Sequence, residues 1–242
     1  MTTTERTVMT TVLPLDDTAL AFVDATARDA QKAFRVFRET GTVSANGTVN
    51  FVERIPGTEA AVALNEPGPW ADDPIARPVV ATFDGEVLQG EGGAGFVTAY
   101  ADLFRAHPEI TSVVHVHTPW LGGFAQTHRP LPIRYAASQR LTLSRSIPPH
   151  IDRTIGAGEF ILGELERDPH LAAIFEANGG VNVIGRDGLL ALAKFVVLLE
   201  EGAQYQAIGE AVGGTQEFDP SNLVAQWGRS GLLDRARAHG LV

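Results

Sequence analysis

The sequence predicts an α/β domain with strands and helices mixed, on three observations. The chain has 242 residues, 44% of them apolar and 20% charged, enough to bury a sizeable core. Apolar residues recur at helical spacing near both ends of the chain, while the middle carries short β-type runs broken by turn residues. No internal repeat or low-complexity linker divides the two patterns, so residues 15–242 are read as one domain after a Thr-rich, aperiodic arm over 1–14.

The elements follow in order. Asp16 and Asp17 open a segment with Leu20, Val23, Ala27, Ala30, Phe34 and Phe37 on one face, an amphipathic helix that ends near Gly41. Strands are expected at 48–52, 60–64 and 78–83, and Asp84-Gly85 before Glu86-Val87-Leu88 is a hairpin signal. The Gly-rich patch 90–95 precedes a helical run over 96–105. Ser112 to His117 is an apolar, alternating strand, followed by a short helix to about Gln126 and a Pro-rich connection containing Arg129-Pro130-Leu131-Pro132. Helices are expected at 156–166 and 169–176, a buried strand at 181–184, and a long helix through Leu189, Leu192, Phe195, Val196, Leu199 and Ala203 after the turn Arg186-Asp187-Gly188. The tail after Gly213 is less regular, with a short helix expected at 221–227.

Composition excludes several function classes. Nineteen Lys and Arg against 29 Asp and Glu leave a net charge of −10, so no basic field exists to hold nucleic acid or an anionic membrane. The absence of Cys removes disulfides, thiolate zinc sites, iron–sulfur clusters and a cysteine nucleophile. No stretch reaches the roughly 20 apolar residues needed to span a bilayer, and the N-terminus lacks an apolar core of signal length. A cytoplasmic protein acting on a small molecule is the expectation.

Residues i and i+2 of a strand point to the same side, so His115 and His117 present two imidazoles to a common space. Two neutral nitrogens separated by roughly 6–7 Å of pleat can grip zinc, iron or manganese. The alternative is one buried histidine with a backbone partner and one facing solvent.

Arg105-Ala106-His107-Pro108-Glu109-Ile110, the strand Ser112 to Thr118 with its Val-Val-His-x-His pattern, the helix after it and Arg129-Pro130-Leu131-Pro132 together resemble the class II aldolase/adducin family. Asn46-Gly47 in the loop after the first helix and the stretch Ile184-Gly185 to Glu200 extend the resemblance over about 18–210. It implies an α/β/α sandwich with a mainly antiparallel central sheet, a divalent metal ion, and a homotetramer with active sites between subunits.

The sequence also departs from that pattern. Where metal-dependent sugar-phosphate aldolases of the family carry a third His before the last strand, this chain has Gly179, and where they carry an acid/base Glu it has Phe96. Val43-Ser44-Ala45-Asn46 is a weak phosphate cradle, so a phosphorylated sugar is not the expected substrate. Candidate replacements are Glu91, as third metal ligand and acid/base group, and His150, while Tyr100 takes a position often held by His. Phe96, Trp120 and Arg134 are the candidate substrate contacts; core packing is the competing role for the two aromatics, and an ion pair for Arg134. These residues suit a metal-dependent enzyme of a 2-oxo or enolisable compound, either a lyase, decarboxylase, dehydratase or epimerase, or a non-heme iron oxygenase. The alternative is a non-catalytic, adducin-like oligomeric binding module.

Overall fold

The computed structural model describes residues 15–242; the arm expected over 1–14 lies outside them. The first helix, α1 (Asp17–Glu39), is capped by the Asp16 carboxylate, which accepts the Ala19 N–H at 2.7 Å. It buries Val23, Ala30, Phe34 and Phe37, and the chain turns away at Gly41 with φ +69°. The strands β1 (Val49–Arg54), β2 (Ala60–Asn65), β3 (Val79–Thr82) and β4 (Val87–Gln89) form an antiparallel meander. Two short helices, α2 (Gly95–Thr98) and α3 (Ala101–Ala106), lead into β5 (Ser112–Val116) and α4 (Pro119–Ala125).

A small excursion follows, with β6 (Leu131–Pro132), α5 (Ala136–Gln139) and β7 (Ser146–Ile147). Strand β8 (Pro149–His150), helix α6 (Ala157–Arg167) and the hairpin β9 (Ala173–Glu176) with β10 (Val181–Gly185) complete the main sheet. The long helix α7 (Leu189–Ala211) precedes α8 (Pro220–Ser230) and α9 (Leu233–Ala238).

The eight strands of the main sheet run β4-β3-β2-β1-β5-β10-β9-β8, antiparallel throughout except for the parallel β8–β9 pair. Both faces are covered, which is why β2 reads as an unbroken small and apolar run, Ala60 to Leu64, with every residue buried. One core lies under α1, α4 and α7 and includes Val114, Val116, Phe175 and Val183. The other lies under α2, α3 and α6 and includes Val52, Val113, Ile174 and Ile184. This is the α/β/α sandwich with a mainly antiparallel sheet. No helix among the described residues is long and apolar enough to cross a membrane.

Three elements differ from the sequence reading. The segment expected to be helical over 169–176 is a turn followed by β9, because Ala173 to Phe175 find ladder partners on β10 and send alternate side chains into both cores. The helix expected over 96–105 is two helices, broken at Ala99 and Tyr100, where Gly158 of α6 approaches so closely that a Cβ would stand 2.1 Å from the Ala99 carbonyl oxygen. The tail holds two helices, with Trp227 of α8 fully buried and its Nε1 donating to the Thr142 carbonyl at 3.2 Å.

Candidate active site at the ends of β5, β9 and β10

Strand register assembles a polar row on an otherwise apolar sheet face. Asn65 pairs with Asn50, Asn50 with His115, and His115 with Asn182, so four adjacent strands each place one polar side chain beside the next. The Asn50 amide donates to Asn65. Tyr100, at the break between α2 and α3, reaches down to this row and donates its hydroxyl to Asn182 Oδ1 at 2.8 Å. Asn182 Nδ2 in turn donates to Glu176 Oε1 at 2.9 Å. Burial, reinforced by the Glu176 charge, raises the Tyr100 hydroxyl pKa, so it stays a donor.

The next row along the strands holds His117, Gly180, Glu176 and His150. His117 donates its backbone N–H to Thr48, Glu176 donates to the Gly180 carbonyl, and Glu176 is paired in register with His150. Gly180 has to be glycine: a Cβ there would stand 2.4 Å from the Val116 oxygen and 2.5 Å from His117 Cδ2. With no side chain at that point, the His117 ring lies against the hairpin. The rings of His115 and His117 meet edge to face, with centroids 5.0 Å apart. Burial holds the His115 imidazole below its ordinary pKa against the opposing pull of Glu176, whose Oε1 is 3.8 Å from His115 Nδ1.

The last member comes from the loop after β8. An Arg153 terminal nitrogen lies 2.5 Å from Glu176 Oε2, and the other donates to the Ala177 carbonyl at 3.5 Å. That second nitrogen stands 3.3 Å from where a Cβ at Gly179 would be, the position where the family pattern places its third histidine. A cation therefore borders the third corner, and both oxygens of the nearby carboxylate are already engaged by Asn182 and Arg153. Among the described residues no group of three or more His, Cys, Asp and Glu side chains gathers so as to hold a metal ion. His115 and His117 are the pair that would hold a divalent ion, with Glu176 the carboxylate beside His115 and Arg153 at the corner where the resemblance implies the third ligand.

The sequence-predicted residues sort accordingly. His115, His117 and Tyr100 are brought together. Glu91 is not: it is exposed in the bend after edge strand β4, whose neighbouring Gly90 and Gly92 pack on Pro78 and Val79, and β4 lies four strands from β5, about 19 Å at normal strand spacing. Within the chain, Glu91 therefore does not join the histidine pair as the expected third ligand. His150 sits in β8, not in an open loop; it is 1% exposed, stacked on Phe160 with centroids 4.4 Å apart, and neither ring nitrogen has a hydrogen-bond partner among the described residues.

Phe96 and Trp120 are both exposed, at 43% and 38%, so neither is consumed by the core. Trp120 follows His117 by three residues, whereas Phe96 rides on α2 over β2 and β3. Arg134 is committed elsewhere: its Nε donates to Glu217 at 2.7 Å and its terminal nitrogen to Thr215. Sequence reasoning missed Glu176, Arg153, Asn182 and Asn50. A polar residue inside a fully buried strand, as Asn182 is between Val181 and Val183, was the available signal.

The family model described as the class II aldolase and adducin N-terminal domain matches residues 28–207. No curated protein sequence matches the chain. Among solved structures, an L-fuculose 1-phosphate aldolase is similar over 85% of this chain and 95% of its own, with 15% identity and a TM-score of 0.70. The L-fuculose 1-phosphate aldolase from Glaciozyma antarctica PI12 covers 93% of this chain and 91% of its own at 18% identity and a TM-score of 0.65. YgbL from Escherichia coli, described as an aldolase/epimerase/decarboxylase, covers 86% of this chain and 99% of its own at 22% identity and a TM-score of 0.63. At these identities the likeness is one of fold.

Proposed function

Since the chain belongs to the class II aldolase and adducin family, we propose that it is an enzyme that moves a proton on carbon next to the carbonyl of a small 2-oxo acid or related enolisable anion. The observation that carries the reading is the Arg153 guanidinium beside the His115 and His117 rings, at the corner where the family pattern has a ligand. A guanidinium there recognises a carboxylate or a developing oxyanion through paired N–H donors. Glu176 occupies it in the free protein, and an anionic substrate would compete for the same donors.

His115 is the base in this reading. Its imidazole is held unprotonated by burial at neutral pH, the form that can accept a proton. The C–H bond breaks, the proton passes to the imidazole, and the electron pair moves onto the carbonyl oxygen, where Arg153 balances the charge. Asn182, held by Tyr100, positions Glu176 and hence Arg153. Trp120 offers an exposed aromatic face next to His117 for an apolar substituent. Epimerase, decarboxylase and lyase outcomes differ in what leaves or returns after this shared step. Family membership further supports a homotetramer as the working state.

The test is proton exchange. Pyruvate, 2-oxobutyrate and phenylpyruvate are incubated in D2O with the full chain purified without an affinity tag, and loss of the C3 proton signals is followed by NMR while iron, zinc and manganese are read per subunit. Exchange above the buffer rate that falls by about a hundredfold or more in both His115→Ala and Arg153→Ala is expected. Exchange at the buffer rate for all three acids would overturn the reading and favour the binding module. Near-stoichiometric metal that is lost in His115→Ala would overturn it in favour of a metal-dependent reaction.

A further inference from the structure

The other end of β10 carries a second site. A cleft of about 240 Å³ opens there between the sheet, the start of α7 and the C-terminal helices. Its floor is apolar, formed by Leu143, Ile184, Leu192 and Phe195, and its rim carries Arg186, Arg235 and His170. Arg235 lies on α9, beyond residue 207 where the match to the family model ends, so this wall is added to the shared fold. The histidine pair lies at the opposite end of the sheet, since Val181 is paired with Val116 whereas Gly185 is paired with Ser112.

The arrangement of charge on the rim points to a ligand. The chain has ten more acidic than basic residues. Even so, among the described residues neither Arg186 nor Arg235 has a carboxylate within 4.0 Å, whereas the adjacent Arg237 pairs with Asp234. Arg186 donates weakly to the Leu171 and Pro169 carbonyls, each at 3.4 Å, and its buried Nε has no partner among the described residues. Among the described residues Arg235 reaches only His170 Nδ1, at 3.5 Å, and His170 is 6% exposed with its Nε2 unpartnered.

The two guanidiniums are close enough for Arg235 to add to burial in lowering the Arg186 pKa, against the opposing Glu109, Asp168 and Asp187. Burial and the Arg235 charge likewise keep His170 neutral. Two guanidiniums held together beside an apolar floor, with no carboxylate in direct contact, leave donors that an anion can join.

We infer that this cleft binds a small amphiphilic monocarboxylate, with the carboxylate between Arg186 and Arg235 and a hydrocarbon or aryl body on Leu143, Leu192 and Phe195. The volume corresponds to about eight water-sized groups, the size of a phenyl ring with a short carboxylate arm. Asp187 is the acidic residue among those that line the cleft, and Glu109 and Asp168 act on Arg186 from outside it, so the surroundings favour a monoanion over a more highly charged phosphate ester.

The test uses phenylacetate and inorganic phosphate as probes, each titrated into the full-length Arg153→Ala protein, so that binding at the histidine pair is weakened beforehand. Thr142 lines the cleft and its carbonyl accepts from Trp227, so indole fluorescence and calorimetry both report occupancy. Phenylacetate is expected to bind one per chain in the high micromolar to low millimolar range, and phosphate at least about fivefold more weakly. Arg235→Ala should weaken phenylacetate by about fivefold or more, Arg235→Glu further still, and Asp187→Asn should tighten it by about twofold. Both positions are exposed, so these variants keep the fold. No saturable phenylacetate binding up to about 20 mM, or equal binding in the two Arg235 variants and the parent, would overturn the inference. Tighter binding of phosphate than of phenylacetate would overturn the assigned ligand class.

Discussion

Glu200 and Thr118 lie 82 residues apart in sequence and are joined by a buried 2.7 Å hydrogen bond, with the Thr118 hydroxyl donating to Glu200 Oε2. The same carboxylate accepts the backbone N–H groups of Trp120 and Leu121 at 2.7 and 2.9 Å. A side chain from the middle of α7 thus caps α4, a role that a residue next to the helix usually fills. The cap fixes the chain immediately after His117. Burial raises the Glu200 pKa and the three donors oppose it.

Replacing Glu200 with Ala leaves three donors without an acceptor. Glu200→Ala is expected to lose about 2–4 kcal/mol of stability in urea unfolding. It should also lower proton exchange on 2-oxo acids by freeing the His117 backbone. A variant with parental stability would mean that water replaces the cap at no cost.

Glycine at position 180 is set by the two contacts a Cβ would make, with the Val116 oxygen and the His117 ring. Gly180→Ala should separate β10 from β5 at the site end and cost about 2–4 kcal/mol. Gly122→Ala is the comparison, because its Cβ would meet only the Gly179 oxygen at 3.9 Å. Thermal unfolding of the pair should show a large shift for the first and at most a small one for the second.

Tyr100 is a positioning residue, acting through Asn182 on Glu176. Tyr100→Phe keeps the ring but leaves Asn182 Oδ1 unpaired, at a cost of about 1 kcal/mol. With Glu176 less firmly held, exchange should fall several-fold in kcat with little change in KM. A change confined to stability would reduce Tyr100 to a packing role.

Glu53, buried in β1 with Oε1 accepting the Leu189 N–H at 3.2 Å, has its pKa raised to about 7, chiefly by burial. Between its ordinary value of 4.5 and about 7, the folded chain binds more protons at this position than the unfolded chain does. The stability contributed by the protonated form is therefore complete below pH 4.5 and is lost as pH rises to about 7. Glu53→Gln should flatten that part of the stability–pH curve and exceed the parent by up to about 3 kcal/mol at pH 8. Identical slopes in the two proteins between pH 5 and about 7 would refute the assignment.

Sequence alone determined the parts of the molecule whose evidence is local. The helical spacing through Phe34 and Phe37, the long apolar stripe from Leu189 to Ala203, and the alternation that puts His115 and His117 on one face each repeat within a few residues. The motifs around His115 were enough to place the chain in its family. Tertiary structure decided what stands at the third corner of the site. Leu171 to Glu176 is too short for its periodicity to separate helix from strand; pairing with β10 makes it a strand, and only then does Glu176 face His115. Glu91 lies as close in sequence to the histidine strand as many true partners would, yet the order of strands carries it to the far edge of the sheet. Arg153 reaches the site because β8 joins β9 in parallel, a pairing between segments with no sequence periodicity of their own. Local patterns record which face a residue occupies. Which residues of different strands meet is set by hydrogen-bond register between distant segments, and that register is an energy of the whole sheet.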